Sequence, residues 1–224
     1  MSTHHLRRLA ALAVAGTVLL SGCGSARPGV AAQVGDDTIT LSDVDEQSQL
    51  ICQAVEKDLQ SPLPMSLARY QILTGQISRS IADQVAEEYD VEPDAGYDSA
   101  LSAARTQVAA YPEETRETLI EVSTNQVYVQ SIMEAAARKA LADEGTADPT
   151  VDEVTKRSQQ LFSQWADTHT VEIDPRFGFD FADGTFARVE TGVSHAVSDT
   201  ATAGLEPEPD PAVTAELPVA QRCG

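Results

Sequence analysis

The chain has 224 residues, with 35 Asp and Glu against 15 Lys and Arg and a formal charge of -20. So acidic a surface is repelled by nucleic acid phosphates and by anionic lipid headgroups, which excludes both as primary partners. Hydrophobic residues make up 42%, enough to core one domain of about 150 ordered residues, and no internal repeat divides the chain.

Residues 1–21 open with Arg7 and Arg8, continue as an apolar run over 9–20, and end in small residues before Cys23. That run is shorter than the roughly 20 residues a spanning helix needs, and it suits a cleavable signal. Leu20-Ser21-Gly22-Cys23 resembles the lipobox of bacterial lipoproteins. The resemblance implies a signal peptide over 1–22 and lipid on Cys23; an ordinary signal with an incidental cysteine is the alternative. Arg7 and Arg8 follow Leu6 in a poor twin-arginine context, so ordinary secretion is expected. Cleavage removes two arginines and no acids, taking the charge from -20 to -22. Attachment then falls to the acyl chains, at about 0.8 kcal/mol per buried methylene. Residues 23–30 form a lipidated tether, of which 24–30 span at most about 25 Å.

With Cys23 lipidated, Cys52 and Cys223 remain, and in an exported chain they are expected to form a disulfide. Two free thiols, with Cys52 filling a helix face, are the alternative. Closing so long a loop contributes at most about 5 kcal/mol in the chain-entropy model.

Residues 31–41 (AAQVGDDTITL) read as a hairpin turned at Gly35 and Asp36. A helix follows from Ser42, whose hydroxyl is expected to cap Asp45, with an apolar stripe at Val44, Ile51, Val55 and Leu59 and Cys52 on its edge. Ser61-Pro62-Leu63-Pro64 ends it. The second helix, over 65–89, carries Leu67, Tyr70, Leu73, Ile77, Ile81, Val85 and Tyr89 at steps of three or four. The third places Tyr97, Leu101, Ala104, Val108 and Tyr111 on one face. The fourth, over 112–143, uses Val122, Val129, Ile132, Ala136 and Ala140, flanked by Ile120, Val127, Met133 and Leu141. The fifth, over 150–168, uses Val151, Val154, Ser158, Leu161, Trp165 and Thr168, with Thr150 and Glu153 spaced as a capping box.

Residues 170–180 (TVEIDPRFGFD) then break the helical pattern: Val171 and Ile173 alternate with Glu172 and Asp174 before Pro175 stops the strand. A lone strand leaves its backbone groups unpaired, and the good partner is the hairpin at 31–41. That pairing would clip together the ends of a long helical loop. Asp183-Gly184 predicts a second hairpin within 179–189. From Thr191 the chain is small, acidic and proline-bearing, so 191–224 is expected to be largely extended or disordered up to Cys223. The fold class is therefore mainly α, with five amphipathic helices bracketed by a small antiparallel sheet made from the N-terminal hairpin and a late strand.

In their order, the lipobox, AAQVGDDTIT, LSDVDE, PMSLARYQIL and IDPRFG resemble the N-terminal chaperone module of SurA-type and PrsA-type proteins, over about 31–179 and within a domain of 31–190. The resemblance implies a SurA/trigger-factor-like module in which first and last strands meet beside a helical cradle for unfolded polypeptide. In that family a parvulin-type isomerase domain sits before the fifth helix. Here the corresponding connection, 143–149, has seven residues, so that domain is expected to be absent.

No GxSxG elbow, Walker loop or dinucleotide fingerprint occurs. Asp43-Val44-Asp45-Glu46 lacks the glycine and distal glutamate of a calcium loop and reads as helix-start acids; no CxxC or HExxH suggests zinc. His169 is expected to end the fifth helix and His195 to be solvated. Trp165, Tyr70, Tyr89, Tyr97 and Tyr111 read as core, with client contact as the alternative. Arg176 is expected to pair with a nearby carboxylate, with a ligand-holding role as the alternative.

These readings imply a protein with no catalytic residues, cofactor or metal. It would be anchored by lipid on Cys23 at the extracytoplasmic face of the cell membrane, and would bind unfolded or extended exported polypeptides in an apolar groove whose acidic rims favour basic segments. The peptide-binding residues are not identified by the sequence. A structural or adaptor lipoprotein docking one folded partner is the second reading, and a prolyl isomerase the third.

Overall fold

Residues 27–55, 62–189 and 210–223 are described by a computed structural model. The signal 1–22, Cys23 and His195 lie outside them. The hairpin is present: β1 (Val30–Val34) and β2 (Asp37–Thr40) pair antiparallel around Gly35, whose φ of 55° suits glycine. A side chain there would also collide with Gln84, whose Oε1 lies 2.5 Å from the position of a Cβ.

α1 (Leu41–Val55) follows β2 directly. Its cap is Thr40 and not Ser42: Thr40 Oγ1 accepts from the Asp43 amide at 3.1 Å and shares a hydrogen bond with Ser42 Oγ at 2.9 Å. The capping residue thus stands two positions earlier than expected, and the helix begins at Leu41. Its buried face runs Val44, Ser48, Cys52. Ser48 is tolerated there because its hydroxyl donates to the Val44 carbonyl at 2.6 Å. The stripe's continuation at Val55 and Leu59 lies outside the described side chains.

After the two-residue strand β3 (Leu63–Pro64), α2 spans Met65–Tyr89, the predicted bounds. Leu73, Ile77, Ile81 and Val85 are buried together with Ile72. Asp90, in the left-handed region at φ 49°, closes the helix by donating its N–H to Ala86 and Glu87. α3 (Ala95–Gln107) starts on the Asp94 carboxylate, which accepts from the Gly96 and Tyr97 amides. Of its expected stripe Ala104 and Val108 are buried; Tyr97, Leu101 and Tyr111 are half-buried.

α4 (Glu113–Asp143) divides into two halves. The C-terminal half buries Ile132, Met133, Ala136 and Ala140 as the pattern predicts. In the N-terminal half the expected stripe residue Val122 and its flanking Val127 are 40% and 37% exposed, and Thr115, Thr118 and Thr124 face inward instead. Threonine can do this because its hydroxyl bonds back along the helix, as Thr124 does to Ile120 at 2.7 Å, leaving its methyl to pack.

α5 (Val151–Thr168) begins with the Thr150–Glu153 capping box and buries Val154, Leu161 and Trp165. Val151, in the first turn beyond the cap, is 75% exposed and belongs to no core face.

β4 (Val171–Ile173) then joins the free edge of β1, giving a sheet ordered β2-β1-β4. Ala32 opposes Ile173, Gln33 opposes Glu172, and Val34 opposes Val171. Strands more than a hundred residues apart in sequence thus clip the helical loop. β5 (Phe179–Ala182) and β6 (Thr185–Arg188) form the second hairpin, turned at Asp183 and Gly184 with φ 52° and 73°. Two positive φ values are what a tight I′ turn requires. Phe179 and Phe181 point inward, Phe179 meeting Tyr70 edge-on at 4.8 Å.

The tail departs from expectation over 210–223. α6 (Pro211–Ala215), capped by Asp210, leads through a short 3-10 turn to β7 (Arg222–Cys223), which pairs antiparallel with β3. Composition missed this because the order comes from a crosslink and one buried residue, Thr214 at 1% exposure, rather than from an apolar stripe. The molecule is mainly helical with small antiparallel sheets.

Candidate functional site

The structure joins Cys52 to Cys223, with Cα atoms 5.0 Å apart across a sequence separation of 171. Both are buried, and the Met65 sulfur lies 3.7 Å from Cys52 Sγ. The link ties β7, which pairs with β3, to α1.

His169 follows α5 and stacks on Trp165 with ring centres 4.5 Å apart, its Nδ1 3.0 Å from the Trp165 carbonyl. In the Asp43–Glu46 run Val44 faces the core and Asp45 pairs with Arg69 at 2.8 Å. Among the described residues no cluster of His, Cys, Asp and Glu is arranged to hold a metal.

Arg176 grips Asp174 with Nε 3.0 Å from both carboxylate oxygens and a second nitrogen at 2.6 Å. The Asp174 side chain is 2% exposed and the Arg176 side chain 67%. The Arg176 side-chain hydrogen bonds hold the Asp174 carboxyl below the usual carboxylate range against the opposing effect of burial, with help from the Arg176 amide and charge. A depressed carboxyl contributes stability that is present above its unfolded pKa of about 4 and is lost as the pH falls through the folded value. Asp174→Asn is therefore expected to destabilise the fold at neutral pH, with the gap to wild type closing below about pH 4. Urea midpoints across that range measure it; an equal gap at both ends would refute the role.

Two sets of cavities flank the pairing of α2 with α4. On one side a groove of about 450 Å³ is lined by Tyr70, Gln71, Thr74, Gly75, Ser78, Asn125, Gln126, Val129, Gln130 and Phe186. An adjoining pocket of about 140 Å³ shares Gln71, Gly75, Asn125 and Gln126 and adds Gln47, Ile72, Gln76, Glu121 and Val122. The helices approach closely at Gly75, where a Cβ would lie 3.4 Å from Asn125 Nδ2. That nitrogen donates to the Gly75 carbonyl at 3.0 Å. Asn125 Oδ1 and Gln76 Oε1 are buried there without a protein partner. Such acceptors are costly to leave unpaired.

On the other side α2, α3 and α4 line a cleft of about 640 Å³ formed by Arg79, Tyr97, Arg105, Glu113, Arg116, Glu117, Ile120, Glu121 and Thr124. A smaller cavity sharing Arg79 and Glu121 continues to Asp37 and Asp83. Glu113, Glu117 and Glu121 share this cleft with three arginines. Apolar lining belongs instead to the groove beneath Phe186.

Of the aromatic residues assigned to the core, Trp165 is buried, while Tyr70 lines the groove and Tyr97 the charged cleft. The amides at 71, 76, 125, 126 and 130 were not foreseen; their one signal in the sequence is that they flank the apolar stripes of α2 and α4. The lining groups of both sites are amides, hydroxyls, carboxylates, guanidiniums and apolar side chains. No family model matches the chain, and neither a curated protein nor a solved structure matches it.

Proposed function

We propose that the protein is a lipid-anchored, non-catalytic SurA-like chaperone module that holds unfolded or extended exported polypeptides outside the cytoplasmic membrane. The observation that carries the reading is the groove between α2 and α4, where uncharged amides stand beside Tyr70, Val129 and Phe186. A carboxamide both donates and accepts, so it pairs with the main chain of an extended segment whatever its sequence. The apolar members take up client side chains by burial, weakly and without strict selection. The strand pairing of β1 with β4 around a helical loop supports the resemblance to SurA-type modules in topology, and the short connection 144–150 between α4 and α5 supports a module without an isomerase insert.

The non-lipidated chain carrying Cys23→Ser is expected to delay aggregation of several unrelated unfolded substrates, measured by light scattering. Val129→Asp, which puts a charge into the groove, is expected to abolish the delay while far-UV circular dichroism stays unchanged. Failure to protect any substrate would refute the reading. Binding to a single folded partner would favour the adaptor reading, which the mixed-charge cleft on the opposite side supports.

A further inference from the structure

Arg79 projects from α2 with its guanidinium carbon 4.1 Å from the centre of the Tyr128 ring. Tyr128 is itself fixed twice: its hydroxyl donates to the Asp83 carboxylate, and Tyr97 meets its ring edge-on at 5.1 Å. Burial first, and then the Asp83 hydrogen bond, push the Tyr128 phenol up to about 12, so the ring stays neutral under Arg79. Stacking occupies a face of the guanidinium and leaves its in-plane N–H groups available. Arg79 takes part in none of the ion pairs Arg27–Glu172, Arg69–Asp45, Arg157–Glu144 and Arg176–Asp174 that form among the described residues.

Arg105 from α3 and Arg116 from α4 line the same cleft. Neither joins those ion pairs, and the Arg116 side chain donates to the Tyr111 carbonyl at 3.4 Å. In a chain with 35 acidic and 15 basic residues a guanidinium has carboxylates in abundance. Three arginines line one cavity without a direct ion pair, one of them pre-set on an aromatic face, and so they present N–H donors to an anion, with Glu113, Glu117 and Glu121 on the same wall offsetting their charge.

We infer that this cleft takes a single carboxylate carried by a polypeptide, gripped in the plane of Arg79 with further donors from Arg105 and Arg116. A guanidinium fork matches two carboxylate oxygens. Glu113, Glu117 and Glu121 on the same wall disfavour a doubly charged phosphate more than a monoanion, and they accept the N–H groups that accompany a peptide carboxylate. That the carboxylate is peptide-borne rests on the polypeptide-binding reading above; the arginine receptor itself does not.

The test uses the non-lipidated chain carrying Cys23→Ser. N-acetylglycine is expected to shift the Arg79 Nε–H resonance, and N-acetylglycinamide to leave it in place. Short labelled peptides are then compared by fluorescence anisotropy in twins that end in acid or amide, and in twins with an internal Glu or Gln. One acid member is expected to bind about tenfold more tightly than its neutral twin, the size of one charge-assisted hydrogen bond, and which twin does so separates a chain end from a side chain. The difference is expected to shrink with salt and to vanish in Arg79→Gln, and to fall in Arg105→Gln, an exposed change that spares the fold. Acid and neutral twins binding alike would overturn the receptor and leave the polypeptide reading standing. A shift of Arg79 by N-acetylglycine with no peptide bound would overturn the peptide-borne ligand together with that reading.

Discussion

Cys223→Ser is expected to lower stability by as much as about 5 kcal/mol and to release residues 210–223 from the body, because little besides the disulfide holds them. The crosslink spans 171 residues, so its removal restores the entropy of a very long loop to the unfolded chain. What would remain is a two-residue ladder between β3 and β7 and the buried Thr214. A five-residue helix such as α6 has no independent stability in water. The variant is expected to melt at a lower temperature, to lose protection of amides 212–223 in hydrogen exchange, and to expose Cys52 to alkylation. Wild type treated with a reductant should copy it. Peptide mapping of untreated wild type should yield one crosslinked fragment containing both cysteines. Two alkylatable thiols in the untreated wild type, or an unchanged melting point in the variant, would defeat the strap.

The bounds of α2 were legible because seven large side chains recur at helical steps between Pro64 and Asp90, and nothing in the fold overrides them. The pairing of 31–34 with 171–173 was legible for a different reason: a strand isolated among helices has backbone groups that must be satisfied, and the chain offers few partners. The first half of α4 was not, since apolar periodicity selects Val122 and Val127 and cannot register threonines whose hydroxyls are satisfied by their own helix. Nor was the ordered tail, which a covalent bond holds in place of a hydrophobic face. The candidate site was least accessible of all. Gly75 and Asn125 stand fifty residues apart, and only the packing of α2 on α4 brings their amide and carbonyl together. Net charge likewise described the whole surface and gave no hint that Arg79, Arg105 and Arg116 would gather in one cleft.

Gln33→Pro is expected to destabilise the fold by about 3 kcal/mol or more, because it breaks the joint between the two ends of the helical loop. The Asp174 amide donates to the Ala31 carbonyl at 2.8 Å and the Gly35 amide to the Thr170 carbonyl at 2.9 Å. These bonds lie two residues either side of the Gln33–Glu172 pair. By the alternation of antiparallel ladders, Gln33 and Glu172 are then the residues that exchange both of their N–H···O bonds. Proline at 33 deletes one of the two, leaves the Glu172 carbonyl without its donor, and drives a ring into the central strand of the sheet. Glu172→Pro removes the reciprocal bond and is expected to match it. Gln33→Ala is the control: it keeps the ladder and loses only side-chain bonds to Thr38, the Gly35 carbonyl and Arg27, for about 1 kcal/mol. Urea denaturation followed by circular dichroism separates the cases. Both proline variants should unfold at much lower urea than Gln33→Ala, and the substrate protection proposed above should fall with the population of closed molecules. Should Gln33→Pro unfold where Gln33→Ala does, the sheet would be an ornament on a self-sufficient bundle, and the clip between first and last strands could not be what sets the spacing of α2 and α4 across the groove.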